Sequence, residues 1–149
     1  MPLLMKCNHY KEEIDLVLSL LADEANGDTR AALKKLSDRY SMTWVYKAPK
    51  TGKLFPRSER SDPSFEVETE AIYRIHDRSY DVRNVAAGAG VVMVELIEAY
   101  TDPVSGDVRR TPLVLVIEIE GDKVLRGRHY CDPNLSYLGL TMEAIEDAF

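Results

Sequence analysis

The 149-residue chain is poor in the side chains that metals and disulfides need, with only Cys7, Cys131 and three histidines spread along it. Two cysteines make no disulfide framework and the scattered imidazoles make no zinc ligand set, so no metal is expected and a reduced, cytoplasmic setting is the simpler reading. No long apolar segment follows Met1-Pro2-Leu3-Leu4-Met5-Lys6, so neither a signal peptide nor a membrane span is expected. Basic charge is also scarce. The net charge is -6, whereas a nucleic-acid surface usually shows a basic stripe, so nucleic acid is not expected as a partner, and with no apolar span neither is a membrane. The densest basic run, Arg57 to Arg60, is short and interleaved with acids and reads as a solvated loop. A phosphate-cradling glycine loop is missing too: Ala86-Ala87-Gly88-Ala89-Gly90 joins two predicted strands and opens no helix, so it reads as a tight turn, and no cofactor is expected.

What is present is apolar patterning. With 45% hydrophobic residues, a chain of this length can bury roughly 70% of its unfolded surface, and one domain covering residues 1–149 is expected. From Tyr10 to Ala22, Ile14, Leu16, Val17, Leu18, Leu20 and Leu21 recur at three- and four-residue steps, predicting a helix with Asn8 as its cap. Asn26-Gly27 breaks the chain. Asp28 can then cap a second helix with Ala31, Ala32, Leu33 and Leu36 inward. Met42-Thr43-Trp44-Val45-Tyr46 changes to a β pattern with Trp44 and Tyr46 on one face. Asp62-Pro63 starts a third helix running to about Ile75, whose buried face is expected to carry Phe65, Val67, Ala71, Ile72 and Ile75. His76 reads as a solvated residue at its end.

Strands are predicted at Tyr80–Ala86, Val91–Tyr100, Thr111–Glu120 and Val124–Cys131, with a short helix from Thr141. The links Thr101 to Asp107 and Glu120 to Lys123 are dense in turn formers and short enough to require antiparallel neighbours. Helices first and a long meander last describe an α+β domain, with N-terminal helices packed on one face of a curved antiparallel sheet. This layout, with Trp44 on an early strand and a terminal strand that runs from Gly121 through Arg128-His129-Tyr130 to Asp132, resembles the nuclear transport factor 2-like superfamily. The SnoaL-like polyketide cyclases, ketosteroid isomerases and limonene epoxide hydrolase are the branch it is most similar to. The resemblance implies a cone-shaped, cystatin-like fold that hosts both enzymes and pure binding proteins, so function has to be read from the site.

Alternation along Val91–Tyr100 puts Val92, Val94, Leu96, Glu98 and Tyr100 on one face, and on the last strand Gly127, His129 and Cys131 share a face. Limonene epoxide hydrolase uses an arginine and an aspartate two apart on a central strand and an aspartate on the last strand. The positions similar to these are Leu96, Glu98 and His129, and because Leu96 cannot act as an arginine that triad's chemistry is not expected here. What the faces leave is Glu98 and His129 as the candidate catalytic residues, in register with each other, the carboxylate holding the imidazole in one tautomer for proton transfer. Trp44, Tyr46, Leu96, Tyr100 and Asp132 are the candidate ligand-contacting residues, with Tyr100 able to donate to a developing enolate oxygen. Cys131 reads as a small buried hydrophobe.

Each reading has a plainer counterpart: a structural Glu98–His129 pair, aromatics that belong to the core, and an Asp132 that merely caps the turn at Pro133. Three functions follow: a cofactor-free isomerase or cyclase acting on a small apolar molecule, a non-catalytic binding protein with the same cone, or an interaction module. Apolar residues on both faces of Val91–Tyr100, together with Val114 and Val116, lead to the expectation of a homodimer.

Overall fold

The computed structural model describes residues 10–75 and 77–148. Cys7, the expected Asn8 cap and His76 lie outside the described residues. Helix α1 (Lys11–Ala25) is followed by α2 (Thr29–Lys35), strand β1 (Leu36–Trp44), the two-residue β2 (Ser58–Glu59) and α3 (Phe65–Tyr73). Then come β3 (Ser79–Gly88), β4 (Val91–Thr101), β5 (Val108–Glu120), β6 (Lys123–Tyr130), a 3-10 turn at Pro133–Tyr137 and α4 (Met142–Ala148).

The six strands form one curved sheet in the order β2-β1-β6-β5-β4-β3. From β3 to β6 it is the antiparallel meander that the short turns require. The sheet as a whole is mixed, because β1 joins β6 in parallel. β1 and β6 lie far apart in sequence, with α3 and four other strands between them, so no turn constrains their direction. Gly127 permits the join. A Cβ built there would lie 2.8 Å from the end of the Met42 side chain of β1, so the bare backbone leaves that methionine its present place without a shift.

Helix α1 continues one turn beyond the predicted end and lays Val17, Leu20 and Leu21 on the inner face of the sheet. Gly27, at φ +70°, turns the chain after it, and the Asp28 side chain accepts from the Ala31 amide at 3.0 Å to start α2. Leu36 is buried as expected, but it opens β1 instead of closing α2. The core is built from these helical residues with Val92, Val94, Leu96, Leu113, Leu115 and Ile117 of the meander. Each such side chain contributes about 1.5–3 kcal/mol by leaving water.

Two expectations fail. Helix α3 buries Phe65 and Thr69 and half-buries Tyr73, while Val67 is 71% exposed and Ala71 and Ile72 are also exposed. Its orientation follows its end contacts, the Phe65 ring edge-on to Tyr40 at 6.0 Å and the Tyr73 hydroxyl on α1, which no alternation of apolar residues reveals. Arg60 is not solvated either. Its Nη1 donates to the carbonyls of Leu33 at 3.0 Å and Leu36 at 2.5 Å, closing the C-terminal end of α2.

Candidate functional site

Beyond Leu96, toward the end of β4, the inner face turns polar. Tyr80 of β3 stands opposite Glu98 of β4. Arg78 precedes it by two residues on the same face, just after Asp77, whose φ of +58° swings the chain into the strand. The Arg78 Nη1 donates to Glu98 Oε2 at 3.1 Å and to the Tyr80 hydroxyl at 3.2 Å. Tyr80 in turn donates to Glu24 Oε2 at 2.9 Å, and Tyr73 donates to Glu24 Oε1 at 2.9 Å. A chain of hydrogen bonds thus runs from α3 through the end of α1 to β3 and β4, with one guanidinium between two carboxylates. Tyr100 lies with its ring 5.3 Å from the Arg78 guanidinium carbon, a cation–π contact.

Burial sets the electrostatics. The Arg78 side chain is only 7% exposed. Desolvation pushes the carboxyls of Glu24 and Glu98 above the ordinary carboxylate range, opposed at Glu24 by the two tyrosine hydroxyls and at Glu98 by Arg78. Desolvation likewise drops His129 to about 4, so its imidazole is neutral near pH 7. It raises Tyr46 to about 12 and Cys131 to about 11, which keeps that thiol protonated and unreactive. Among the described residues, two buried side-chain polar atoms have no hydrogen-bond partner: Arg78 Nε and His129 Nδ1. Orphans of this kind are rare in folded proteins, and both belong to this face.

The expected pairing of Glu98 with His129 is not formed; the partner of Glu98 is Arg78. Register explains it. Through Leu115, His129 is level with Val94, four residues short of Glu98 along β4, or on the order of 13 Å at the strand rise. His129 instead meets the Tyr46 ring edge-on at 5.9 Å. Trp44, paired with His129 in the ladder, packs on Phe55 at 5.4 Å, and Tyr46 packs on the same ring at 5.6 Å. Tyr46, Cys131 and Asp132 line a cavity of about 490 Å³ that also includes Lys47, Pro49 and Pro133. Asp132 caps the 3-10 turn as well, accepting from the Asn134 amide at 2.9 Å. Leu96, placed among the ligand-contacting residues by the sequence, is 1% exposed and packed in the core.

Arg78, Glu24 and Tyr80 were not singled out by sequence, although a signal existed for the carboxylate. Glu24 follows Val17, Leu20 and Leu21 at seven, four and three residues, on the buried face of α1. Among the described residues no cluster of three or more histidine, cysteine, aspartate or glutamate side chains could hold a metal ion.

No protein-family model and no curated protein matches the sequence. Solved structures do. An M. tuberculosis LEH-like epoxide hydrolase superposes with a TM-score of 0.68 at 17% identity, over 93% of this chain and 95% of that one. IdmH, a proposed polyketide cyclase from Streptomyces antibioticus, gives 0.67 at 8% identity, over 84% and 95%. The chain has the nuclear transport factor 2-like fold. A de novo designed protein with a curved β-sheet matches the same fold at 0.61 and 16% identity, over 93% and 98%. The nuclear transport factor 2-like fold therefore accepts natural and designed sequences alike, and the chemistry rests on the inward side chains.

Proposed function

We propose that the inner face is a site for a small, largely apolar molecule bearing a carbonyl group, and that Glu98 moves a proton on it without a cofactor. The observation that carries this reading is the buried Arg78–Glu98 pair with the Arg78 Nε–H left without an acceptor. Glu98, its basicity raised by burial, takes a proton from the carbon next to the carbonyl, and the C–H electron pair moves to the carbonyl oxygen. The Arg78 Nε–H is the donor available to the resulting enolate oxygen, and Tyr100, whose ring lies on the Arg78 guanidinium, flanks the ligand. Return of the proton to another carbon gives isomerisation; attack by the enolate carbon on a second carbonyl gives cyclisation.

Binding without turnover is the second reading, favoured by one observation: the charge of Glu98 is already neutralised by Arg78. Deuterium exchange at the α-carbon of a cyclic enone probe in heavy water, followed by NMR, separates the two. Turnover predicts exchange that falls about a hundredfold in Glu98→Gln. Chemical-shift changes on the inner face without exchange would leave binding alone, and neither exchange nor shifts would overturn the site.

A further inference from the structure

Between β1 and β2 the chain forms a small hairpin that the pocket does not explain. Lys47 bridges Leu54 in antiparallel fashion, Ala48 N–H donates to Lys53 O at 2.8 Å, Gly52 N–H donates to Ala48 O at 2.9 Å, and Gly52 closes the turn at φ +68°. From residue 47 to 57 the sequence holds Lys47, Lys50, Lys53 and Arg57 and no acid, and setting these four cations aside takes the net charge from -6 to -10. The charge is therefore segregated. None of the three lysines makes an ion pair among the described residues, and Arg57 is held by Glu59 at 3.0 Å. Between the lysines and the arginine stand Leu54, 81% exposed, and Phe55, also exposed. The 3-10 turn whose Pro133 and Asn134 line the cavity ends in Tyr137, 64% exposed, and is followed by Leu138, 66% exposed.

The geometry points to this hairpin as a docking element for an anionic lipid surface, with the lysines against the headgroups and Leu54 and Phe55 in the acyl boundary. Two features select lipid over the other polyanions. Unpaired lysines interleaved with protruding apolar side chains match an interface that is charged at its surface and apolar just beneath, whereas RNA offers no apolar layer to Leu54. Screening cuts off the field of the remaining negative charge within about 8 Å at physiological salt, so the local sign governs contact. Asp132, the one acid lining the cavity, accepts from the Asn134 amide. The expectation of no membrane partner rested on the lack of a spanning segment, which docking at a surface does not need.

The hairpin also lines the 490 Å³ cavity through Lys47, Ala48 and Pro49, and Phe55 touches Tyr46, which touches His129. An apolar ligand dissolved in the bilayer would thus meet the site at its mouth. That consequence rests on the proposed function, while docking itself does not.

Cosedimentation of the full chain with phosphatidylserine–phosphatidylcholine vesicles, against phosphatidylcholine alone, tests it. Binding to the mixed vesicles that weakens with salt is expected, with a loss of about fivefold per cation removed, so roughly 25-fold in Lys50→Ala/Lys53→Ala. Leu54→Ser, at a side chain almost wholly in water, should weaken binding with unchanged circular dichroism. Equal binding to both vesicle types, no binding, variants that bind like wild type, or preferential capture by an RNA oligonucleotide would each overturn the inference. Failure of docking leaves the enone-exchange result untouched, and failure of exchange leaves docking untouched.

Discussion

At the scale of single residues, the site is governed by which polar atoms have lost water. Glu24 is the acceptor for two tyrosine hydroxyls and sits one guanidinium away from Glu98, so four elements are tied together by groups that would each be costly if left alone. His129 shows the opposite case, a buried ring whose Nδ1 has no partner and which therefore resists protonation. The pH consequence has a definite sign. With a folded value near 4 against about 6.5 unfolded, the unfolded chain binds more protons between those limits, so His129 lowers stability as pH falls from 6.5 to 4 and adds no further loss below that. Glu24 and Glu98, raised on folding, act in the other direction as the pH falls through their folded values. A comparison of wild type with His129→Phe in urea titrations isolates the first effect. The wild type should lose up to about 3 kcal/mol more than the variant across that window. Parallel pH profiles for the two proteins would mean that the imidazole is not desolvated.

At the scale of elements, what each segment buries is decided by its neighbours as much as by its own pattern. Helix α4 lies on the outer face of the sheet, where Ile145 is 3% exposed and lines a second cavity of about 390 Å³ with Ile97 and Pro112. It is held by Arg83 on Glu146 at 3.1 Å, and the approach to it by Arg110 on the Leu140 carbonyl at 3.1 Å. Ile145→Ala should cost about 2–4 kcal/mol in chemical denaturation, because the helix has no other buried side chain to share the load. A cost within experimental error would show that α4 is not docked in solution. The first four strands of the meander illustrate how far an element can be read in advance. The segments around Gly90 and Gly121 were legible as tight turns, and both glycines take the positive φ that such turns use. The bulge between Val82 and Asn84 was not. Counting back from the Gly88–Gly90 turn without it would set Asp81 opposite Glu98; the extra residue sets Tyr80 there and brings Arg78 to the inner face.

At the scale of the whole molecule, the sheet has an inner face packed against α1 and an outer face only partly covered by α4. Met93 remains 46% exposed on that outer face beside the half-buried Val114. Burying it against a second copy is the expected outcome. Sedimentation at micromolar concentration should give a dimer that Met93→Asp dissociates, and a wild-type monomer would remove the expectation. No helix among the described residues is long and apolar enough to cross a membrane.

The sequence by itself determined the order of elements, the antiparallel meander, the inward side of β4 and the apolar core, because these follow from hydrophobic period and turn chemistry, which are local. It also indicated the cone fold through the arrangement of its last strands. Only the tertiary structure decided that Glu98 answers to Arg78 and Glu24 to two tyrosines, that α3 turns Tyr73 inward, and that His129 stands alone near Tyr46. Those partners come from different elements, and their meeting depends on a bulge, a parallel strand pairing and a helix rotation. A one-residue change in any of these redirects a side chain to the opposite face, and nothing in the local pattern fixes it.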